Sequence, residues 1–530
     1  MITTPNTYSF TNKIMGSKWI HYNSEHLFYF NKLSIKKLCD ICGYELIYCS
    51  SFAKTMRLDY MYYQMKEHNH LLMSNILNIL SNTLIKNIDF HISSGDFLCI
   101  LKRRFSMFSL DFKQKVDRKL FGCLEYILDR LSFIVGRFVR RDHTTTKDNV
   151  RNIVIAKYLG LGSIVRSQVI IQDIKNTFPN AKIHYLTTVK NKNIFDIIED
   201  VDNILTIDDN GIFSMVLSTF NLVVKLIKLK VDAFIDLEVY SRYSSCIALM
   251  SCARNRYGFF RHDIHWHVGV YTHMIYFNNQ KNITDIYLQI SNYLTNSSIY
   301  DKTLPSFSFD NVYKEEIEKY FIENKLNKKS NDIYIGINAN ASELALERRY
   351  PPLYFVELIE NILKIKEKNI YIFLIGSPSE KNYLENEIYS KLDKNIVNNV
   401  YITAGLFSLN ASIYLLSKFD LFITTDSGPL HFAYAQNVNI ISIWGPGSHN
   451  HYGASNYKNE IKLNSNIYCS PCLYLTKKAP CEGNNICLQS ILSKEIYNYF
   501  INIFNIKENI EYIEKEKNID HSYYLGSIIR

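Results

Sequence analysis

Long apolar runs, a secretory leader and dense blocks of one charge are missing from this chain of 530 residues. No apolar run reaches the roughly 18 to 20 residues of a membrane-spanning helix, and no basic segment with an apolar core follows Met1. Basic and acidic residues number 60 and 51, and the one tight basic run is "RFVRR" at 137–141. We expect a cytoplasmic protein without a nucleic-acid partner. Peripheral contact with the inner face of the cytoplasmic membrane stays open.

The composition is that of a globular protein with several cores, because 47% of the residues are hydrophobic and 21% are charged. The pattern of elements changes along the chain. It predicts a front region at 1–105, a helical linker at 106–149, an α/β domain at 150–315, a second at 316–510, and a tail at 511–530.

The front region contains "TTPN", "EHLFYF", "GYELI" and "IDFHISSGDFLCILKRR". These segments resemble the carboxy-terminal part of a class I methyltransferase that uses S-adenosylmethionine. In that family the cofactor lies on an earlier strand and a glycine-rich turn, and no such turn is found here. The resemblance therefore implies a structural remnant without methyl transfer.

The linker contains an amphipathic helix, whose leucine and isoleucine spacing makes one apolar face. The residues of that face are Leu120, Leu124, Ile127 and Leu131. Arginines 137, 140 and 141 follow at its end. They are suited to lipid phosphates, and a solvated helix end is the alternative.

From residue 150 apolar strands alternate with helices, and the pattern restarts near 330. Such alternation predicts two parallel sheets with right-handed crossovers. Ligands of such sheets bind beyond the carboxyl ends of the strands. The sequence therefore predicts an α/β protein with a ligand cleft between two doubly wound domains.

The segment "TTDSGPLHFAYAQNVNIISIWGP" at 424–446 reads as a strand end, a turn, a short helix and a strand. Thr425 and Asp426 would face the cleft, while Ser427 and Gly428 lead into a helix whose free amides favour a diphosphate. His431 lies one turn into that helix, where it could hydrogen-bond a phosphate or sugar oxygen. An ordinary helix cap is the alternative.

Two other strand ends supply candidate donor-binding residues. Arg348 and Arg349 precede a helix that starts with proline, and paired guanidiniums suit a leaving diphosphate. A salt-bridged surface pair is the alternative. Gly376 ends a further strand, and Glu380 could contact a ribose or base.

Five motifs in order, "GLGSIVRSQVIIQDIKNTFPNAKIHYL", "IDLEVYSRYSS", "ERRYPPLYF", "LIGSPSE" and the 424–446 segment, resemble the heptosyltransferases, family nine of the glycosyltransferases. The resemblance covers about residues 150–500. It implies the GT-B architecture, with the acceptor on the first domain and the nucleotide-sugar on the second. It also implies inverting transfer of heptose from ADP-heptose to a lipopolysaccharide core without a catalytic metal.

The proton acceptor is the point at which this chain departs from the family. Many members have an aspartate where this chain has Ser163, and a serine cannot act as a base at neutral pH. Asp236 and Glu238 end another strand, and both point to one side of it. We take Glu238 as the candidate base; binding of both carboxylates to a neighbouring helix start or to Arg242 is the alternative.

Four cysteines fall close together in "CSPCLYLTKKAPCEGNNIC", at Cys469, Cys472, Cys481 and Cys487. In a cytosolic chain this clustering favours a structural zinc or iron site, with free thiols as the alternative. The sequence as a whole predicts a glycosyltransferase with a nucleotide-sugar donor and a glycan or lipid-linked glycan acceptor. A GT-B sugar-nucleotide epimerase and a non-catalytic glycan-binding protein derived from a transferase are the alternatives.

Overall fold

The computed structural model divides into two compact units, Met1–Lys115 and Val116–Arg530. The structure describes residues 2–16, 30–41, 44–67, 74–75, 77–79, 90–103, 116–139, 141–147, 149–261, 268–297, 302–341, 346–465, 467–473, 475–476, 481, 484–507 and 511–514. Within these ranges no helix is both long and apolar enough to cross a membrane.

The first unit is built on a three-stranded antiparallel sheet. Its strands are β1 (Ile2–Pro5), β2 (Tyr44–Met56) and β3 (Phe90–Arg103), in the order β1-β3-β2. Its helices are Phe10–Met15, Lys32–Ile41 and Leu58–Glu67. Ile35, Cys39 and Cys99 make a small core between helix and sheet. The methyltransferase resemblance stays a prediction.

The second unit begins with a six-stranded parallel sheet of order β6-β5-β4-β7-β8-β9. Its strands are β4 (Asn152–Ala156), β5 (Lys182–Thr188), β6 (Asn203–Ile207), β7 (Ala233–Asp236), β8 (Asn255–Phe260) and β9 (His273–Tyr276). The α-helices of this part are Gly122–Phe138, Leu161–Arg166, Gln168–Thr177, Ile212–Leu229, Arg242–Met250 and Ile283–Thr295.

A second parallel sheet follows, of order β12-β11-β10-β13-β14-β15. Its strands are β10 (Asp332–Asn338), β11 (Asn369–Leu374), β12 (Val400–Ile402), β13 (Leu421–Thr425), β14 (Ile440–Trp444) and β15 (Glu460–Asn464). The α-helices are Asn311–Glu323, Pro352–Leu363, Lys381–Glu387, Leu409–Leu416, Gly428–Ala435, His449–Tyr452, Ile486–Gln489 and Ser493–Phe504. The predicted α/β architecture with two doubly wound domains is confirmed.

The strand order reverses once in each sheet. The chain runs outward from β4 through β5 to β6 and then returns to β7, and it runs from β10 through β11 to β12 and returns to β13. Loops that leave neighbouring strands in opposite directions open a crevice at their carboxyl ends. The two crevices are therefore fixed by strand order, at β4/β7 and at β10/β13.

The helix of the predicted linker packs onto the first sheet domain. Helix Gly122–Phe138 lies against helix Arg242–Met250. The Asp117 carboxylate caps the latter helix, because it accepts hydrogen bonds from the backbone amides of Arg242 (3.0 Å) and Tyr243 (2.8 Å). The predicted apolar face of the linker helix turns outward. Leu120, Ile127 and Leu131 are all exposed.

Candidate functional site

The two crevices face each other across the domain boundary. Helix Leu161–Arg166 follows β4, helix Gly428–Ala435 follows β13, and the two helices pack together. Gly162 lies directly against the ring of His431, so a Cβ at this position would collide with the imidazole. The glycine of "GLGS" thus lets the two strand-end loops meet.

The loop after β13 is held to the loop after β10 by buried hydrogen bonds. The Asn338 side-chain amide donates to Thr424 Oγ1 (3.1 Å) and to Ser427 Oγ (2.7 Å). Thr425 Oγ1 donates to the carbonyl of Asn340 (3.2 Å). The predicted donor loop is consequently a fixed turn, and its hydroxyls are occupied by the protein.

Asp426 is buried at the centre of this turn, with 3% of its surface exposed. Burial raises the pKa of its carboxyl group, and the charge of Arg348 acts in the opposite direction. Arg348 Nη1 lies 3.6 Å from Asp426 Oδ2, which is too long for a hydrogen bond. In the described part of the chain that oxygen accepts no hydrogen bond. A sugar hydroxyl could satisfy it.

His431 is buried beside the same turn. Burial, together with the charges of Arg166 and Arg348, lowers the pKa of its imidazole to about 3. The ring is therefore neutral at physiological pH and can donate one hydrogen bond and accept another. Its Nδ1 atom finds no hydrogen-bond partner among the described residues.

Arg166 is a site residue that the sequence reasoning missed. Its Nη2 donates to Asn282 Oδ1 (2.7 Å) and to the carbonyl of Gly453 (3.2 Å), which belongs to the second sheet domain. The guanidinium is buried, and its Nε lacks a hydrogen-bond partner within the described ranges. The signal was a lone arginine within the apolar residues of "GSIVRSQVII".

Arg348 and Arg349 point to different places. Arg348 faces Asp426, whereas Arg349 Nε donates to Asn340 Oδ1 (2.5 Å). The Arg349 guanidinium lies 4.3 Å from the ring centre of Tyr383 and lines an open pocket of about 510 Å³. The predicted pair is thus split, and Arg348 is the member beside the donor loop.

Gly376 and Glu380 belong to a helix cap. The Glu380 carboxylate accepts a hydrogen bond from the backbone amide of Ser377 (2.6 Å), which completes a capping box. Gly376 packs against the same carboxylate. Contact of Glu380 with a ribose or base stays a prediction, and it would compete with this cap.

Glu238 lies in the loop after β7, and three donors hold its carboxylate. The backbone amides of Tyr158 (2.7 Å) and Leu159 (3.0 Å) donate to its Oε1, and Lys157 Nζ lies 3.0 Å from its Oε2. Burial lowers the pKa of Lys157, but the charge of Glu238 and its other neighbours raise that pKa above its ordinary value.

Asp236 lies beneath Glu238 and is fully buried. Its carboxylate accepts hydrogen bonds from Tyr271 (2.7 Å) and from the Glu238 backbone amide (3.0 Å). Burial raises the pKa of this carboxyl group to about 7, against the effect of these bonds. Asp236 orients the Glu238 loop. It has no exposed surface with which to meet an acceptor.

Ser163 is placed on the first domain, one residue from the Gly162 contact. Its hydroxyl lies near Tyr287; burial raises the pKa of that tyrosine, and Ser163 acts in the opposite direction. Lys157, Glu238 and Arg166 also act on the pKa of that tyrosine. Tyr287 therefore lies among the residues of the first crevice and joins Ser163 to the Glu238 side.

The four clustered cysteines are free thiols, and three of them are buried. The pKa of Cys487 is raised to about 12, chiefly by burial and also by the neighbouring Cys481, Cys472 and Cys469. The thiols are thus near neighbours. Across the described residues no three or more histidine, cysteine or acidic side chains are grouped closely enough to hold a metal ion. The metal site stays a prediction.

Comparison with known proteins points to one family. Residues 220–482 match the model of glycosyltransferase family 9 (heptosyltransferase), and this range contains Asp236, Glu238 and the donor loop. Over these residues the chain is similar to glycosyltransferase family 9. The protein is a glycosyltransferase, as this match and its relatives indicate.

One relative is "Lipopolysaccharide heptosyltransferase 1" of Campylobacter coli. It is 25% identical over 348 residues, which make up 65% of this chain and 96% of the relative. Two solved structures share the fold at 17% identity. The family 9 glycosyl transferase of Veillonella parvula has a TM-score of 0.57 and covers 67% of this chain and 97% of its own. The "ADP-heptose lps heptosyltransferase II" of E. coli has a TM-score of 0.53 and covers 68% and 100%.

Proposed function

We propose that this glycosyltransferase moves heptose from ADP-heptose to a lipopolysaccharide or other bacterial surface-glycan acceptor, with inversion at the anomeric carbon. The relatives described above, named as lipopolysaccharide heptosyltransferases, support the sugar and the acceptor class. The main support for the donor site is the buried turn at β10/β13, where Asp426, Arg348 and the neutral His431 lie close together.

The proposed donor position follows from the charges of that turn. The diphosphate would lie at the start of helix Gly428–Ala435, whose first amides and dipole favour an anion. Arg348 and Arg166 would offset its negative charge, and His431 would hydrogen-bond it. Asp426 would accept a hydrogen bond from a sugar hydroxyl.

The proposed reaction is a single displacement. An acceptor hydroxyl oxygen forms a bond to the anomeric carbon while the bond from that carbon to the diphosphate oxygen breaks. The diphosphate leaves with the electron pair, and its charge is offset by Arg348 and Arg166. The acceptor proton passes to Glu238, which first exchanges its contact with Lys157 for the acceptor.

A panel of nucleotide-sugars tests the proposal, with the full chain and a truncated lipopolysaccharide core as acceptor. We expect ADP to be released from ADP-heptose when acceptor is present, and the product to have the opposite anomeric configuration by NMR. Release without acceptor, epimerised sugar, or preference for another nucleotide-sugar would overturn it. Since the acceptor class is lipid-linked, we also propose peripheral contact with the inner face of the cytoplasmic membrane.

A further inference from the structure

Two helices on one face of the first sheet domain expose apolar side chains. Helices Gly122–Phe138 and Ile212–Leu229 both contact helix Arg242–Met250 and so flank it. We call their outer sides the two-helix surface. Its most exposed aromatic residues are Phe138 and Phe213, with 82% and 81% of their surfaces open. Apolar side chains this open on neighbouring helices are unusual for a face that meets only water.

The exposed residues follow the helical period. On helix Ile212–Leu229 they recur every three or four positions, while Leu222 and Leu226 face the core. The exposed apolar residues of this helix are Phe213, Val216, Leu217, Phe220 and Ile227. Those of the other helix and its ends are Leu120, Tyr126, Ile127, Leu131, Phe133, Ile134, Val135, Phe138 and Val139. Helix Ile212–Leu229 therefore presents an apolar stripe away from the sheet, whereas the last turns of helix Gly122–Phe138 expose apolar side chains on several sides.

All acidic side chains of these two helices turn inward. Asp117 caps helix Arg242–Met250, Glu125 is buried 3.7 Å from Arg242, and Asp129 packs against Gly269. Helix Ile212–Leu229 contains no acidic residue.

The basic side chains turn outward. Exposed basic residues on or beside the two helices include Arg118, Lys119, Arg130, Arg137, Arg141, Lys225, Lys228 and Lys230. The outward charge of the two-helix surface is therefore of one sign. A second copy of the same surface would bring like charges together, whereas a negatively charged layer would be attracted.

From this combination we infer that the two-helix surface docks the enzyme on an anionic lipid bilayer. Apolar stripes edged by lysine and arginine are the features with which helices lie in a membrane interface. The aromatic rings would enter the boundary between headgroups and acyl chains, and the basic residues would meet lipid phosphates. The inference builds on the proposed membrane contact and names the surface that makes it.

Vesicle binding of the full chain tests this inference. We expect co-sedimentation with vesicles that contain phosphatidylglycerol, weaker binding to pure phosphatidylcholine, and loss of binding as salt is raised. A basic residue near an anionic surface is worth about five-fold in affinity. Lys225→Glu with Lys228→Glu should therefore reduce binding by at least about ten-fold. Phe133→Ser with Phe138→Ser should reduce it as well.

The matched controls are exposed residues of the second sheet domain. Val312→Ser with Ile322→Ser changes two apolar residues that are 69% and 72% exposed, and Lys394→Glu with Lys458→Glu changes two exposed lysines. Neither control should alter binding. Equal binding to neutral vesicles, equal loss in the controls, or no vesicle binding by the unchanged protein would overturn the inference. So would a dimer that the Phe133/Phe138 variant dissociates in the absence of lipid.

Heptose transfer to a soluble acceptor is measured with the same variants. It should not change, because none of the substituted residues lies in the donor loop or beside Glu238. Normal transfer without vesicle binding overturns the docking surface alone. Vesicle binding without any transfer overturns the proposed donor and acceptor alone.

Discussion

At the scale of single residues, the donor site is built from groups held away from water. Asp426, His431 and Arg166 each have an atom without a hydrogen-bond partner in the described part of the chain. A buried polar atom that stays unsatisfied costs about 1 to 3 kcal/mol. The protein without ligand is destabilised by this amount. A ligand that supplies the missing hydrogen bonds removes the cost.

Removal of those groups should weaken donor binding. We expect His431→Ala and Asp426→Ala to reduce affinity for ADP-heptose about ten-fold or more, because a hydrogen bond to a charged group is worth roughly 1.5 to 3 kcal/mol. Isothermal titration calorimetry measures the affinity. His273→Ala, on edge strand β9, is the control. Unchanged affinity in both donor-loop variants would contradict the site.

The role of Glu238 can be separated from its ion pair. Glu238→Gln should lower the transfer rate by on the order of a hundred-fold, yet it also leaves Lys157 buried without its partner. Loss of one partner of a buried pair costs about 3 to 5 kcal/mol. The double variant Lys157→Met with Glu238→Gln should recover stability but not rate. Rates are measured by ADP release and stability by thermal unfolding.

Ser163→Ala is the companion to this test. We expect a small effect on rate, because a serine hydroxyl cannot act as a base at neutral pH. If Ser163→Ala were inactive and Glu238→Gln fully active, Glu238 would not be the base.

Asp236 should make stability depend on pH. Its pKa is about 7 in the folded protein and near 3.9 when unfolded. The folded state therefore binds the extra proton between these values, and the free energy of unfolding should fall as pH rises from about 4 through 7. Asp236→Asn should remove part of that fall, which urea titration at pH 5 and pH 8 measures. Asp393→Asn, in a surface loop, should leave it unchanged.

At the scale of elements, the sequence predicted more of the sheets than of the loops. Apolar strands such as "NIVIA" and "LFITT" are nearly or wholly buried in parallel sheets, and their pattern alone indicates this. Arg349 contacts Tyr383, and Glu238 contacts Lys157. The partners in each contact are far apart in the sequence, and the contact depends on the direction in which each side chain points. No local pattern specifies such contacts, so the split arginine pair and the occupied carboxylate emerged only from the structure.

At this scale we predict that the cysteine segment, residues 469–487, binds a structural metal ion. Protein purified without chelator should contain about one zinc or iron per chain, and Cys469→Ser with Cys472→Ser should lose it. The variant should also unfold at lower temperature, since the free energy of metal binding contributes to folding. Elemental analysis and calorimetry measure the two effects, and Cys252→Ser is the control. If the wild-type protein contained no metal, the prediction would be wrong and the four cysteines would be free thiols.

At the scale of the whole molecule, the chain joins a small antiparallel unit to the glycosyltransferase. The second unit alone contains every residue proposed for the donor site and for the base. We propose that residues 1–105 do not bind S-adenosylmethionine and are not needed for donor binding. Calorimetry on the full chain should show no saturable binding of that cofactor. Saturable binding would revive methyl transfer as a function of this unit.

The contacts of Arg166 bear on how the second unit unfolds when it is heated. It is the last residue of the helix after β4 and donates to the carbonyl of Gly453, so one buried cation contacts both sheet domains. Melting of the second sheet domain alone would take the Gly453 carbonyl away from this buried cation. The two domains are therefore tied into one cooperative transition, and heat should denature them together.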